Sequence, residues 1–263
     1  MRALKSVYSA QVPSKANLTL AVTGKRGGLH TLQMTVCPYP DFSDRVEFFP
    51  ATDSADIEVE GVSAQFKDFD KDRFLDFYIP KARAAAERFG VGGRLRIYKG
   101  VPLGAGLGGS SASVAATVSA MSACACDLGE SARLDDVFLL SMGSDVPCMT
   151  AGGACVVEGV GEIVKPFSGT VPEFDVYIAE GGSDTAACYA LYDRMKEEDP
   201  SCDTSLCSFE NKSGAKKYFN DLTAPAVALN PNIGELIRRL QRSYEHVVMS
   251  GSGSAVLGIN RIR

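Results

Sequence analysis

Apolar and polar residues alternate through residues 6–22, SVYSAQVPSKANLTLAV, in two runs interrupted at Pro13-Ser14. A period of two predicts two short strands around a bend. In the second run Lys15 and Asn17 alternate with Leu18 and Leu20, so the two polar side chains would share one strand face. GKRGG at 24–28 reads as a flexible turn, and His30-Thr31-Leu32-Gln33 leads into another strand, MTVCPY. Residues 44–67 alternate again (DRVEFFP, ADIEVEGV), as antiparallel strands would. Arg73–Phe89 spaces its apolar residues as a helix does. Pro80 marks a kink or break in it, and Gly90 a stop.

RLRIYK at 94–99 is a strand that delivers the chain to a glycine-rich stretch, and Ala112–Cys126 is a small-residue helix suited to close packing. A helix follows at Leu134–Leu140, then a strand, a tight turn and a strand within 151–162, and a strand at Phe174–Ala179. Residues 180–220 are the most polar and least patterned, with a helix carrying Tyr189 and Tyr192 and a surface loop at 201–214. TAPAVAL and NIGELIRRLQRS read as helices, His246–Met249 and AVLGI as strands. The fold class is mixed α+β.

Composition sets the class. The 263 residues are 45% hydrophobic with a net charge of −5, enough for one large domain or two tightly joined ones. Mild acidity and the lack of a basic run argue against nucleic acid. No apolar stretch reaches membrane-spanning length and no signal-peptide pattern opens the chain, so no membrane partner and a cytoplasmic location are expected. Eight scattered cysteines (37, 124, 126, 148, 155, 188, 202 and 207) read as reduced core residues. Cys124 and Cys126 lack partners at metal-ligand spacing.

Candidate chemistry concentrates in PLGAGLGGSSASVAAT, residues 102–117. Glycines at 104, 106, 108 and 109 let the backbone approach a ligand closely. A helix starting at once aims its unpaired N–H groups and positive dipole end into the loop, which makes an anion site, most often for phosphate. No lysine follows Gly109, which excludes the Walker A pattern. Gly104-x-Gly106-x-x-Gly109 matches the dinucleotide fingerprint only formally, because no room remains for its second strand. Asp145 sits between a glycine turn and Val-Pro, where a buried carboxylate needs a partner such as lysine; an Asx turn or helix cap is the alternative. Ser250–Ser254 forms a second glycine-serine loop, and the two loops suggest a ligand with two anionic regions.

PLGAGLGGSS resembles the phosphate loop of the GHMP-superfamily kinases. PSKANLTLAVTGKRGGLHTLQ, GSDVPCMTAGGACVVEGVGE, GGSDTAACYALYD, NDLTAPAVALNPNIGEL and VMSGSGSAVLG extend the resemblance over nearly the whole chain. It implies the GHMP kinase fold, two subdomains with an active-site cleft between them: an ATP-binding part at 1–150 and a substrate-side part at 151–263. Within the superfamily these segments resemble the branch that phosphorylates the 2-hydroxyl of a cytidine-diphosphate-bearing methylerythritol. The implied catalytic pair is Lys15 and Asp145. Asp145 would take or orient the substrate hydroxyl proton; Lys15 would keep Asp145 ionised and neutralise charge on the transferring phosphate.

Pro102, Leu103, Gly104, Ala105, Gly106, Leu107, Gly108, Gly109, Ser110 and Ser111 would wrap the phosphates of ATP. Ser110 or Ser111 would lie near Mg²⁺, with Ser111 taken as the metal contact. Implied substrate contacts are Asn17, His30 on the cytosine, Asp184, Thr185, Tyr189 stacking on the base, and Gly251, Ser252 and Gly253 facing the diphosphate. Leu29 stands where the family usually has a stacking tyrosine. The implied state is a monomer or weak homodimer. Another GHMP small-molecule kinase and a degenerate ATP-binding homologue are the competing readings.

Overall fold

The computed structural model describes residues 5–51, 56–67, 69–130, 133–206 and 217–262. By contacts the chain divides into two units. Unit 1 holds residues 1–14, 39–102 and 108–152; unit 2 holds 15–38, 103–107 and 153–263. The units interleave rather than following one cut in the chain. Residues 15–38 and 103–107 precede residue 150 yet pack within unit 2.

Strand β1 (Tyr8–Arg26) is one continuous element, not two strands around a bend. Proline fixes φ near −65°, which extended backbone accommodates, so Pro13 alone does not turn the chain. Strand β2 (Leu29–Ala51) returns from the Gly27-Gly28 turn and also runs through both units.

In unit 1 the second half of β2 pairs antiparallel with β4 (Gly92–Lys99), placing Phe48 opposite Leu95 and Val46 opposite Ile97. These four side chains are at most 1% exposed. Strand β3 (Ile57–Ala64) pairs with β4 in parallel, which corrects the antiparallel expectation. Helix α1 (Lys71–Phe89) lies between them in sequence, and a parallel pair needs such a crossover. Asp70 caps α1, accepting from the Arg73 amide, and Gly90 ends it in a left-handed conformation. Pro80 does not break the helix, which runs through it from Lys71 to Phe89. Its ring and Asp76, whose carbonyl would lose its bond, are both exposed, so water can serve that oxygen.

Helix α2 (Gly109–Leu128) buries Val114, Ala115, Val118 and Met121 and is tied to α1 by a hydrogen bond between Thr117 and Tyr78. By length and composition α2 could cross a membrane, against expectation, but the buried share of its most apolar window is 67%, as in a core helix. Helices α3 (Asp136–Met142) and α4 (Val146–Ala151) complete the unit.

In unit 2 the first half of β2 pairs antiparallel with β5 (Cys155–Gly159), which forms a hairpin with β6 (Ile163–Pro166). A second, antiparallel sheet has the order β7 (Phe174–Ile178), β10 (Ala255–Arg261), β9 (Tyr244–Met249). Helix α5 (Thr185–Glu198) carries Tyr189 and Tyr192. The short strand β8 (Phe219–Asn220) pairs parallel with β1, and α6 (Thr223–Leu229) and α7 (Pro231–Leu240) follow. Ala16, Leu18, Cys37, Val248, Leu257 and Ile259 form one buried cluster. Cys37, Cys124, Cys126, Cys148, Cys155, Cys188 and Cys202 are free thiols; Cys207 and most of the expected loop at 201–214 lie outside the described residues.

Candidate active site

Within unit 2 the two glycine loops touch. The Ser250 hydroxyl donates to the Gly106 carbonyl at 3.0 Å, and the Ala255 amide donates to the Ala105 carbonyl at 2.9 Å. A Cβ on Gly106 (φ +74°) would stand 2.1 Å from the Ser250 carbonyl oxygen, so both space and backbone conformation require glycine there. The segment after β7 joins the same group. The Ser183 amide donates to the Gly104 carbonyl at 2.9 Å and the Ser183 hydroxyl to the Ser252 carbonyl at 2.5 Å. Thr185 and Ser252 share a hydroxyl–hydroxyl bond of 2.8 Å. Asp184 caps α5, its carboxylate accepting from the Ala187 amide at 3.0 Å, which gives it a structural task at the site's edge.

Lys15 and Asn17 do share a strand face. The Lys15 amide donates to the Leu107 carbonyl at 3.0 Å, and its ammonium donates to Asn17 Oδ1 at 2.8 Å. The same Oδ1 accepts from the Gly251 amide at 3.1 Å. Asn17 is fully buried, and its Nδ2 faces Met34 Sδ at 3.2 Å. One carboxamide therefore orients the lysine and fixes the second loop together. Asn220, which the pattern reading missed, anchors that loop from behind. Its Nδ2 donates to the carbonyls of Met249 and Gly251, both at 2.7 Å. The asparagine heading NDLTAP after a polar stretch was the only signal for it.

In unit 1 the loop's exit becomes α2. Gly108 (φ +75°) precedes the helix, and no side chain caps it and no acidic residue stands in its first turn. The N-terminal amides of α2 and its positive end are thus left for an outside anion. Gly143 lies against this turn: a Cβ there would be 3.6 Å from Ser111 Oγ. Asp145, two residues on, is half-buried with φ −90° and ψ −11°. It holds the N-cap position of α4, but its side chain makes no cap bond there.

Beneath α2 lies a buried group that the motif search passed over. The carboxylate of Asp44 and the ammonium of Lys99 form an ion pair with both side chains fully inaccessible. Burial pulls Lys99 below the ordinary lysine value, and the charge and hydrogen bond of Asp44 oppose that pull. The signal was phase. Asp44, Val46 and Phe48 alternate on one face of β2, and Leu95, Ile97 and Lys99 on the facing side of β4.

His30 stacks on Tyr189, with ring centroids 4.5 Å apart and planes at 24°, and meets Tyr192 edge-on at 6.3 Å. His30 Nε2 lies 2.8 Å from Asp193 Oδ1, and Lys25 Nζ lies 2.8 Å from Oδ2. Burial works to raise the Asp193 carboxyl, but the hydrogen bonds from His30 and Lys25 outweigh it and hold it below the usual carboxylate range. Asp193 was not singled out from sequence; it lies one turn past Tyr189 on α5, the spacing that shares a face. Leu29 is exposed.

The GHMP kinases N terminal domain matches residues 78–153. A 4-diphosphocytidyl-2-C-methyl-D-erythritol kinase of Cereibacter sphaeroides is 30% identical over 94% of this chain and 87% of its own length. One from Acidovorax sp. is 32% identical over 96% and 87%. A solved 4-(cytidine 5'-diphospho)-2C-methyl-D-erythritol kinase superposes with a TM-score of 0.66 at 26% identity, covering 95% of this chain and 89% of that one. Similarity of this extent places the chain in the family of the 4-diphosphocytidyl-2-C-methyl-D-erythritol kinases.

Proposed function

We propose that the protein transfers the γ-phosphoryl group of ATP to the 2-hydroxyl of 4-diphosphocytidyl-2-C-methyl-D-erythritol, acting in the cytoplasm as a monomer or weak homodimer. The observation that carries this reading is the convergence on Lys15, whose amide bonds the first glycine loop and whose ammonium is held by the asparagine that also fixes the second. In the transfer the substrate oxygen bonds to the γ-phosphorus as the bond to the β–γ bridging oxygen breaks, and ADP leaves. Asp145 takes the hydroxyl proton. Lys15 offsets charge on the moving phosphoryl oxygens, where positioning and electrostatics supply most of the rate.

The residues fit a nucleotide triphosphate. Three glycines with positive φ (104, 106 and 108) give close backbone approach, and α2 offers amides with no acidic neighbour in its first turn. Ser110 or Ser111, with Ser111 as the metal contact, would hold Mg²⁺, which draws charge off the phosphates when bound. His30 and Tyr189 would take the cytosine, with Asp193 fixing the imidazole.

ADP release measured with the diphosphocytidyl substrate, methylerythritol phosphate, mevalonate and homoserine tests the reading. Turnover that needs the cytidine is expected. Preference for mevalonate or homoserine would assign another alcohol, a result the exposed Leu29 makes worth the control.

A further inference from the structure

The cluster of Asp44, Lys99 and Ser113 lies off the reacting groups named above, yet its bonds end on both flanks of the first glycine loop. Asp44 Oδ1 accepts from the amides of Gly100 and Val101, each at 2.9 Å. Asp44 Oδ2 accepts from the Lys99 ammonium and from the Ser113 hydroxyl, the latter at 2.6 Å. Lys99 also donates to the Gly109 carbonyl and to Ser113 Oγ at 3.2 Å. Four donors meet the carboxylate and three acceptors meet the ammonium, which uses the usual capacity of each.

All of these groups belong to unit 1 and are buried. The charges cancel, and the Lys99 ammonium sits 5.3 Å from the centroid of the Phe74 ring. A satisfied buried network of this kind fixes one arrangement of the backbone it touches. What it touches is the chain just before Pro102 and the first residue of α2. Between these ends the loop has glycines with positive φ at 104, 106 and 108, so it carries little stiffness of its own.

We propose that Asp44, Lys99 and Ser113 are positioning residues for nucleotide binding: they clamp both ends of the phosphate loop and aim the first amides of α2 at the ATP phosphates. The inference rests on the kinase reading above. The clamp acts through backbone, so its loss weakens ATP without altering the contacts to the cytidine end.

The test uses the full chain with Asp44→Asn and Lys99→Met combined, which removes both charges together and frees the Gly109 carbonyl. Ser113→Ala is the milder companion, for use if the double variant does not fold. Calorimetry with a non-hydrolysable ATP analogue and Mg²⁺ is compared with calorimetry using the diphosphocytidyl substrate, and turnover is measured alongside. Small misplacements remote from the chemistry can cost up to about a hundredfold. The folded double variant is therefore expected to bind the analogue roughly ten to a hundred times more weakly, with Ser113→Ala intermediate. The KM for ATP rises while the affinity for the cytidine substrate stays at the wild-type value. Unchanged analogue binding in a folded variant overturns the clamp. So does equal weakening of both ligands, which marks a purely structural network. If the wild type binds the analogue but phosphorylates no cytidine substrate, the kinase assignment fails while the analogue comparison still decides the clamp.

Discussion

Lys15 and Lys99 are both buried, 6% and 1% exposed, and both stand on strands next to the first glycine loop. Their company differs. Lys99 is answered by a carboxylate, a carbonyl and a hydroxyl, all inside unit 1. Lys15 donates to Asn17, whose oxygen also accepts the Gly251 amide, inside unit 2. Burial alone therefore does not tell what a lysine does. Lys99 ties the two flanks of the first loop together, whereas Lys15 shares its acceptor, Asn17 Oδ1, with the amide of the second loop.

Substitutions at the two sites should separate these jobs. Lys15→Met is expected to lower kcat by roughly 10²–10⁴, the range for a lost charge-stabilising or proton-transfer group, with little change in Tm. Asp145→Asn should match it. A Lys15→Met enzyme within tenfold of wild type would erase the distinction. Asp44→Ala, by contrast, leaves the buried Lys99 charge without its counterion and should cost about 3–5 kcal/mol of stability. At about 2–4 °C per kcal/mol for a chain of this size, Tm should fall by roughly 6–20 °C in a thermal melt. The pH dependence has a definite sign. Lys99 is held below the ordinary lysine value, so between its folded and unfolded values the unfolded chain binds the extra proton. Its contribution to wild-type stability thus rises with pH across that alkaline window and is level below it.

The stacked His30–Tyr189 pair offers a smaller effect. Tyr189→Ala removes a contact worth about 0.5–1.5 kcal/mol, so the KM for the cytidine substrate should rise up to roughly tenfold while that for ATP holds. An equal rise in both would detach Tyr189 from base recognition. The smallest effect is a titration. Burial, with help from Lys217, holds His246 below the ordinary histidine value. An NMR titration should find the His246 imidazole below 6.5, and its contribution to stability should fall as pH drops past 6.5.

The same contrast explains what the sequence disclosed. The glycine loop, the Lys15–Asn17 face and the small-residue helix were legible because each is local: backbone freedom, strand period and helix packing act over a few residues. Asp44 and Lys99 are 55 residues apart and meet only through the β2–β4 register, which places Arg45 opposite Tyr98 and so brings the next positions together. Their phase with Val46 and Ile97 was visible, but charge suggested surface. The parallel pairing of β3 was hidden for a related reason, since alternation reports a strand without naming its neighbour. Pro13 was read as a bend and Pro80 as a kink or break, yet one lies in extended backbone and the other on the exposed side of an unbroken helix.

The interleaving of the units bears on anyone who would take the enzyme apart. The chain passes from one unit to the other at 14/15, 38/39, 102/103, 107/108 and 152/153. A gene fragment ending near residue 150 would carry the first half of β2 without the β5 strand it pairs with, and β1 without β8. Neither unit is a transferable cassette, and halves expressed apart would each expose strand edges that the intact polypeptide covers.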